Sequence, residues 1–147
     1  MICKICRSDA ASTFETLDKK IYWSCNFCGC KYLDKSYFID PVEEEQRYLE
    51  HNNEINDTDY RTFLSRLSEP LKEKISLGSY GLDFGCGTGP ALADMLIQDG
   101  FKVSLYDPFF YPDEGVLSEQ YDFITCTETA EHFYDPFKEF NALDDLL

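Results

Sequence analysis

The chain has 147 residues, 44% of them hydrophobic and 16% aromatic, which is enough apolar mass for a packed core and excludes a disordered chain. With 13 Lys and Arg against 28 Asp and Glu, the formal net charge is −15, so phosphate backbones and anionic membrane surfaces are repelled and nucleic acid is not an expected partner. No apolar stretch approaches the roughly 18 residues that span a bilayer, and no basic segment followed by an apolar one opens the chain. The expectation is a cytoplasmic protein whose 7 cysteines are metal ligands or buried thiols rather than disulfides.

In chain order, the first element is a cysteine cluster. Cys3-x-x-Cys6 and Cys25-x-x-Cys28 are two knuckles, with a spacer long enough for a hairpin that brings them together. Four thiolates complete a tetrahedral Zn²⁺ shell with no open position, which is the structural kind of site. The alternative is a set of buried or redox cysteines. Cys30 competes with Cys28 as the fourth ligand, and the knuckle glycine Gly29 favours Cys28.

Helical signals follow. Asp40-Pro41-Val42-Glu43 reads as a capped start of a helix running to about Asn53, with Glu43, Glu44 and Glu45 on a solvated face. A second helix is expected over about 59–76. There Tyr60, Phe63, Leu64, Leu67, Leu71 and Ile75 share one face, and Pro70 kinks or splits it.

From Gly81 onward, strand and helix signals alternate, which implies a parallel sheet with crossover helices. Gly81-Leu82-Asp83-Phe84 is a short buried strand running into Gly85-Cys86-Gly87-Thr88-Gly89, and residues 90–98 form the next helix. Glycines let a ligand approach the peptide groups closely, and a loop at the carboxyl end of a central strand sits where such sheets bind ligands. Phe101 to Tyr106 is the second strand and ends in Asp107. An acid there accepts from both hydroxyls of a ribose, or else starts a turn before Pro108. Tyr121 to Thr125 is a third strand, followed by Cys126, Thr127, Glu128, Glu131 and His132, and a last helix starts at Asp135-Pro136.

Asp83, Gly85, Gly87 and Gly89, with Asp107 and the Glu131-His132 element after the third strand, resemble motif I and its companions in class I S-adenosylmethionine (SAM) dependent methyltransferases. A dinucleotide-binding dehydrogenase is the nearest rival, but it places its last glycine one residue later. The resemblance implies a Rossmann-like α/β fold, a three-layer sandwich with a mainly parallel sheet, behind a small N-terminal zinc ribbon. It implies three regions: a zinc-ribbon-like element at 1–38, a helical lid or linker at 39–78, and a SAM-binding domain at 79–147. Gly85, Cys86 and Gly87 would pack against the cofactor's methionine part, Asp83 would hold the loop and the cofactor's amino group, Phe84 and Gly89 would complete the binding loop, Asp107 would bind the ribose, and Thr127 and Glu128 would face the reacting centre.

Within this reading His132 is the candidate general base, or else a helix-cap or packing residue, and Glu131 has the same two readings. Tyr48, His51 and Asn52 are lid candidates or a solvated face. The segment from Asp107 to Tyr121 is too short for the helix, strand and helix the family usually fits there. Phe109, Phe110 and Tyr111 are left to stack on the base or simply to pack. Only one helix follows Asp135, so the domain reads as C-terminally truncated, with an open sheet edge that invites self-association or a protein partner. The expected function is methyl transfer from SAM to a small molecule. The alternatives are a non-catalytic, partial methyltransferase-like protein acting through a partner, and an RNA-directed enzyme, which the acidic charge disfavours.

Overall fold

A computed structural model describes residues 1–39 and 54–147. The helix expected from Asp40 to Asn53, its glutamate run and the lid candidates Tyr48, His51 and Asn52 lie outside the described residues.

The N-terminal unit is a three-stranded antiparallel sheet in the order β1 (Ala11–Leu17), β2 (Lys20–Cys25), β3 (Lys31–Leu33). Asp18 and Lys19 both have positive φ (48° and 66°) between the paired Leu17 and Lys20, the backbone of a two-residue hairpin turn that matches strand twist. A bulge between Thr13 and Glu15 shifts the register of β1. Trp23 Nε1 donates to Asp34 Oδ2 at 2.7 Å and ties β2 to the turn after β3. Among the described residues the buried core of this unit is Cys3, Ala11 and Cys25, with Ile5, Cys6, Ala10 and Tyr32 packed around it. So small a core does not hold such a unit by apolar burial alone.

The second unit opens with α1 (Thr58–Lys72), capped by Asp57, whose side chain accepts from the Tyr60 amide at 2.9 Å. The helix stops at Lys72, four residues short of the expectation. Pro70 neither splits it nor leaves its interior but sits in the last turn, where the missing N–H removes a single bond. Strand β4 (Tyr80–Phe84) lies at the centre of a parallel sheet, between β5 (Lys102–Tyr106) and β6 (Phe123–Thr125). The third strand is shorter than expected: Tyr121 stands before it, buried, and its amide bonds the Leu146 carbonyl at 2.8 Å. Helix α2 (Ala91–Gln98) joins β4 to β5, and α3 (Pro136–Asp144) follows β6. Between β5 and β6 there is one 3₁₀ turn, Glu114–Ser118, in place of a crossover helix.

Alternation along β4 sends its residues to two different layers. On one face Phe123, beside Gly81, joins Leu64, Ala91, Leu92, Leu96 and Phe101 under α1 and α2. On the other, Phe84 stacks on Tyr106 and meets Phe133 edge-on, and Phe133 meets Phe140 of α3. Helices thus cover both sheet faces, the α/β Rossmann-like arrangement. Arg61–Asp94 and Lys72–Asp99, each at 2.7 Å, pin α1 to α2 across the first layer. Among the described residues no helix is long and apolar enough to cross a membrane.

Candidate functional site

The carboxyl ends of β4 and β6, together with α1, enclose a cavity of about 320 Å³ lined by Gly85 to Gly89, Thr127, Glu128, Glu131, His132, Tyr60 and Phe63. That volume falls within the usual range of small-molecule sites, about 300–1,000 Å³. A smaller space beside it is walled by Asp83, Tyr60, Leu64 and Thr127 among others.

The glycine loop is held from two sides. Gly85 and Cys86 donate their amides to the Tyr106 carbonyl at 2.8 and 3.2 Å, and Gly87 donates to Asp107 Oδ2 at 3.0 Å. Gly85 and Gly87 both take positive φ, 73° and 65°. At Gly85 there is also no room: a Cβ would lie 2.2 Å from Thr129 Cγ2. Thr129 Oγ1 donates to the Gly85 and Thr127 carbonyls, each at 3.0 Å, and so fastens the loop after β6 onto the glycine loop. Glu128 sits between these anchors with φ 54°, a strained setting for a side chain with Cβ, and lines the cavity.

Asp83 is buried, and Thr125 Oγ1 donates to its Oδ1 at 2.7 Å. Burial pushes its carboxyl up to about 6, against the downward pull of the Thr125 hydroxyl. Burial also raises the Tyr60 phenol, with Asp83 and Glu128 adding to the effect. The Cys86 thiol is raised by burial and then by Asp83 and Asp107, while Cys126 is pushed up to about 12 by burial, Asp83, Glu131 and Glu139. A negative field therefore fills the region, and among the described residues no Lys or Arg lines the cavity.

Asp107 serves the backbone around it. It is buried, and its Oδ1 already accepts from the amides of Phe109 and Phe110 at 2.9 and 3.1 Å. It is at once the turn starter and the anchor of the glycine loop. Its Oδ2 accepts from the Gly87 amide. Of the residues singled out from the sequence, Gly85, Cys86, Gly87, Gly89, Thr127, Glu128 and His132 share the cavity wall, and Asp83 lines the adjoining space. Phe84 and Asp107 line neither: Phe84 points into the aromatic layer, and Asp107 supports the loop from behind. Sequence reasoning placed Tyr60 and Phe63 in the core and passed over Thr88 and Thr129. The helical period that put Tyr60 and Phe63 beside Leu64 cannot tell a core face from a cavity wall. Thr127 Oγ1 is buried on that wall with no hydrogen-bond partner.

In the N-terminal unit the sulfurs of Cys3, Cys6, Cys25 and Cys28 lie within 4.8 Å of one another, and Cys30 is not among them. Cys3–Cys28 and Cys6–Cys25 are 3.9 and 3.7 Å apart. The ideal sulfur–sulfur edge of a tetrahedron with zinc–sulfur bonds of about 2.3 Å is about 3.8 Å. The Ile5 amide points at Cys3 Sγ at 3.4 Å. Arg7 and Gly29, which directly follow the two knuckles, both have positive φ (62° and 75°). The Ser8 hydroxyl and the Cys28 amide draw Cys25 down to about 6. The Cys30 amide likewise lowers Cys28, but desolvation and the thiols of Cys6 and Cys25 outweigh it and push that thiol up to about 12. Such a cluster ionises fully only around a cation. The geometry and donor set are compatible with a zinc site.

The chain matches no curated protein and no solved structure. Residues 48–147, more than half of the chain, match the family model of a methyltransferase domain. The parallel sheet, the glycine loop at its carboxyl edge and that match agree, and the chain belongs to the methyltransferase-domain family, with the class I architecture.

Proposed function

We propose that the chain binds SAM in the glycine-loop cavity and transfers its methyl group to a small-molecule acceptor, while the four cysteines hold a structural zinc ion. The observation that carries the reading is the cavity wall itself. The glycine loop from Gly85 to Gly89, the buried and unpartnered Thr127 hydroxyl, and Glu128 and Glu131 line one space. An orphaned buried hydroxyl is costly unless a ligand completes it, and an acidic wall suits a ligand carrying a sulfonium and an ammonium group.

When bound, SAM supplies an electrophilic methyl on a sulfonium. The chain's own residues position and shield. Gly85 and Gly87 bring the backbone close to the ligand, Asp83 and Glu128 favour its positive groups, and Asp107 binds the ribose. Tyr60 and Phe63, with ring planes 13° apart and centroids at 6.4 Å, form an aromatic wall that excludes water. His132, exposed in the 3₁₀ turn Ala130–His132 at the cavity, is the side chain that would take a proton from the acceptor. In the N-terminal unit all four ligand positions are filled by sulfur, so the zinc ion stabilises and does not react.

The test is calorimetric titration of the protein with SAM and with its demethylated product, alongside Thr127→Val, which keeps shape and removes the unpartnered hydroxyl. Saturable binding that weakens in the variant is the expected result. No binding by a folded protein would defeat the cofactor reading. Tight binding without transfer to any small molecule would favour a non-catalytic chain that works through a protein partner.

A further inference from the structure

The first knuckle reaches across to the segment that carries part of the cavity wall. Arg7, directly after Cys6, places Nη2 against Asp135 Oδ1 and its guanidinium 5.0 Å from the ring centroid of Phe137. Lys4, between Cys3 and Cys6, lies 3.9 Å over the ring of Phe38, and Phe38 meets Tyr134 edge-on at 5.6 Å. Tyr134 Oη donates to the Ile39 carbonyl at 2.6 Å. Asp135 is also the cap of α3, accepting from the Lys138 amide at 3.4 Å. Tyr134 and Asp135 follow by two and three residues the cavity-lining His132, and Phe133 between them is buried against Phe84 of β4.

Arg7 thus grips this short segment directly and Lys4 reaches it through Phe38, and both side chains start from the knuckle. Arg7 is held most firmly, because its left-handed backbone (φ 62°) belongs to the turn that closes the knuckle, where its amide donates to the Cys3 carbonyl at 3.0 Å. Resting on the metal site and the cavity proposed above, we infer that metal binding at the four cysteines is coupled to the shape of the cavity. Arg7 is the positioning residue that carries the coupling. The unit is a metal-dependent brace for the wall that bears Glu131 and His132. Coupling of this kind is reciprocal: a ligand that orders the wall tightens metal binding by the same factor by which the metal tightens the ligand.

The test is hydrogen exchange of the amides of residues 130–139 in the zinc-loaded and zinc-stripped full chain, combined with SAM titration of both forms. Arg7→Gly separates the roles: glycine accepts the positive φ, so the knuckle and its zinc stay, and only the strut is lost. Arg7→Lys restores a charge at the same place. Zinc removal and Arg7→Gly are each expected to speed exchange in this segment and to weaken SAM binding by at least about threefold. Arg7→Lys should recover part of the loss. The idea is overturned if Arg7→Gly, still carrying one zinc, protects the segment as the native chain does, or if stripping zinc leaves its exchange unchanged. If the exchange effect is present but the native protein binds no SAM, the brace stands and the cofactor assignment fails.

Discussion

Gly85→Ala is the most informative single substitution in the glycine loop. Two separate costs act on it. The residue has φ 73°, and an L-side chain in the left-handed region costs about 1–2 kcal/mol. The new methyl would also stand 2.2 Å from Thr129 Cγ2, 2.4 Å from its Oγ1 and 2.8 Å from its Cβ. Thr129 cannot swing aside freely, because its hydroxyl bonds the Gly85 and Thr127 carbonyls. Overpacking of this kind costs about 1–3 kcal/mol more. The expected loss is therefore about 2–5 kcal/mol in all. Gly87→Ala is the internal control: its φ of 65° carries the same backbone strain, but nothing lies within 4 Å of its Cβ position. Urea unfolding followed by circular dichroism reads both, and Gly85→Ala should be the less stable by about 1–3 kcal/mol. Equal midpoints for the two variants would refute the packing argument and leave only backbone strain.

Asp83 gives a pH signature. Its folded carboxyl lies near 6 against a free value of 3.8, so between those limits the native state holds more protons than the unfolded one, and stability falls as pH rises. Asp83→Asn should flatten that slope in thermal melts across pH 4–7 and gain up to about 3 kcal/mol at neutral pH, while binding SAM less well. Asp107→Ala strips the acceptor from the amides of Gly87, Phe109 and Phe110, so it should lower the melting temperature as well as abolish SAM binding. Asp107→Asn should recover part of the stability. Metal analysis should return about one zinc per chain, lost in Cys25→Ser and kept in Cys30→Ser. Retention by the first variant or loss by the second would redraw the ligand set.

The strand–loop–helix pattern around Gly85 could be read in advance because each part rests on local chemistry: a buried apolar run, glycines at alternate positions and a helix stop at Gly100. The cysteine pairs were legible for the same reason, since ligand spacing is a local property. What escaped was non-local. Periodicity put Tyr60 and Phe63 on an apolar face, but only the packing of α1 against the sheet decides that this end of the face opens on a cavity. The role of Thr129 depends on a loop forty-four positions away along the chain, and no signal in its own neighbourhood announces it. Asp107 was legible as an acid directly after the second strand of the sheet. Its turn with Phe109 and Phe110 was legible from Asp-Pro, whereas its bond to the Gly87 amide, twenty positions away, was not.

The same distance in sequence bears on how the molecule matures. β4 and β6 pair Gly81 with Phe123 and Asp83 with Thr125, whereas the hairpin of β1 and β2 closes over a two-residue turn. Contacts between segments so far apart form slowly, because the chain loses loop entropy before it gains contact energy. The cavity wall is assembled from those late partners, so a half-folded chain offers its ligand no site. Any small molecule held there recognises only the finished fold and stabilises it by mass action, about 2.7 kcal/mol at a hundred times its Kd. For a chain of this size that is a sizeable share of the total, and the supply of ligand in the surroundings becomes one determinant of how long the folded protein lasts.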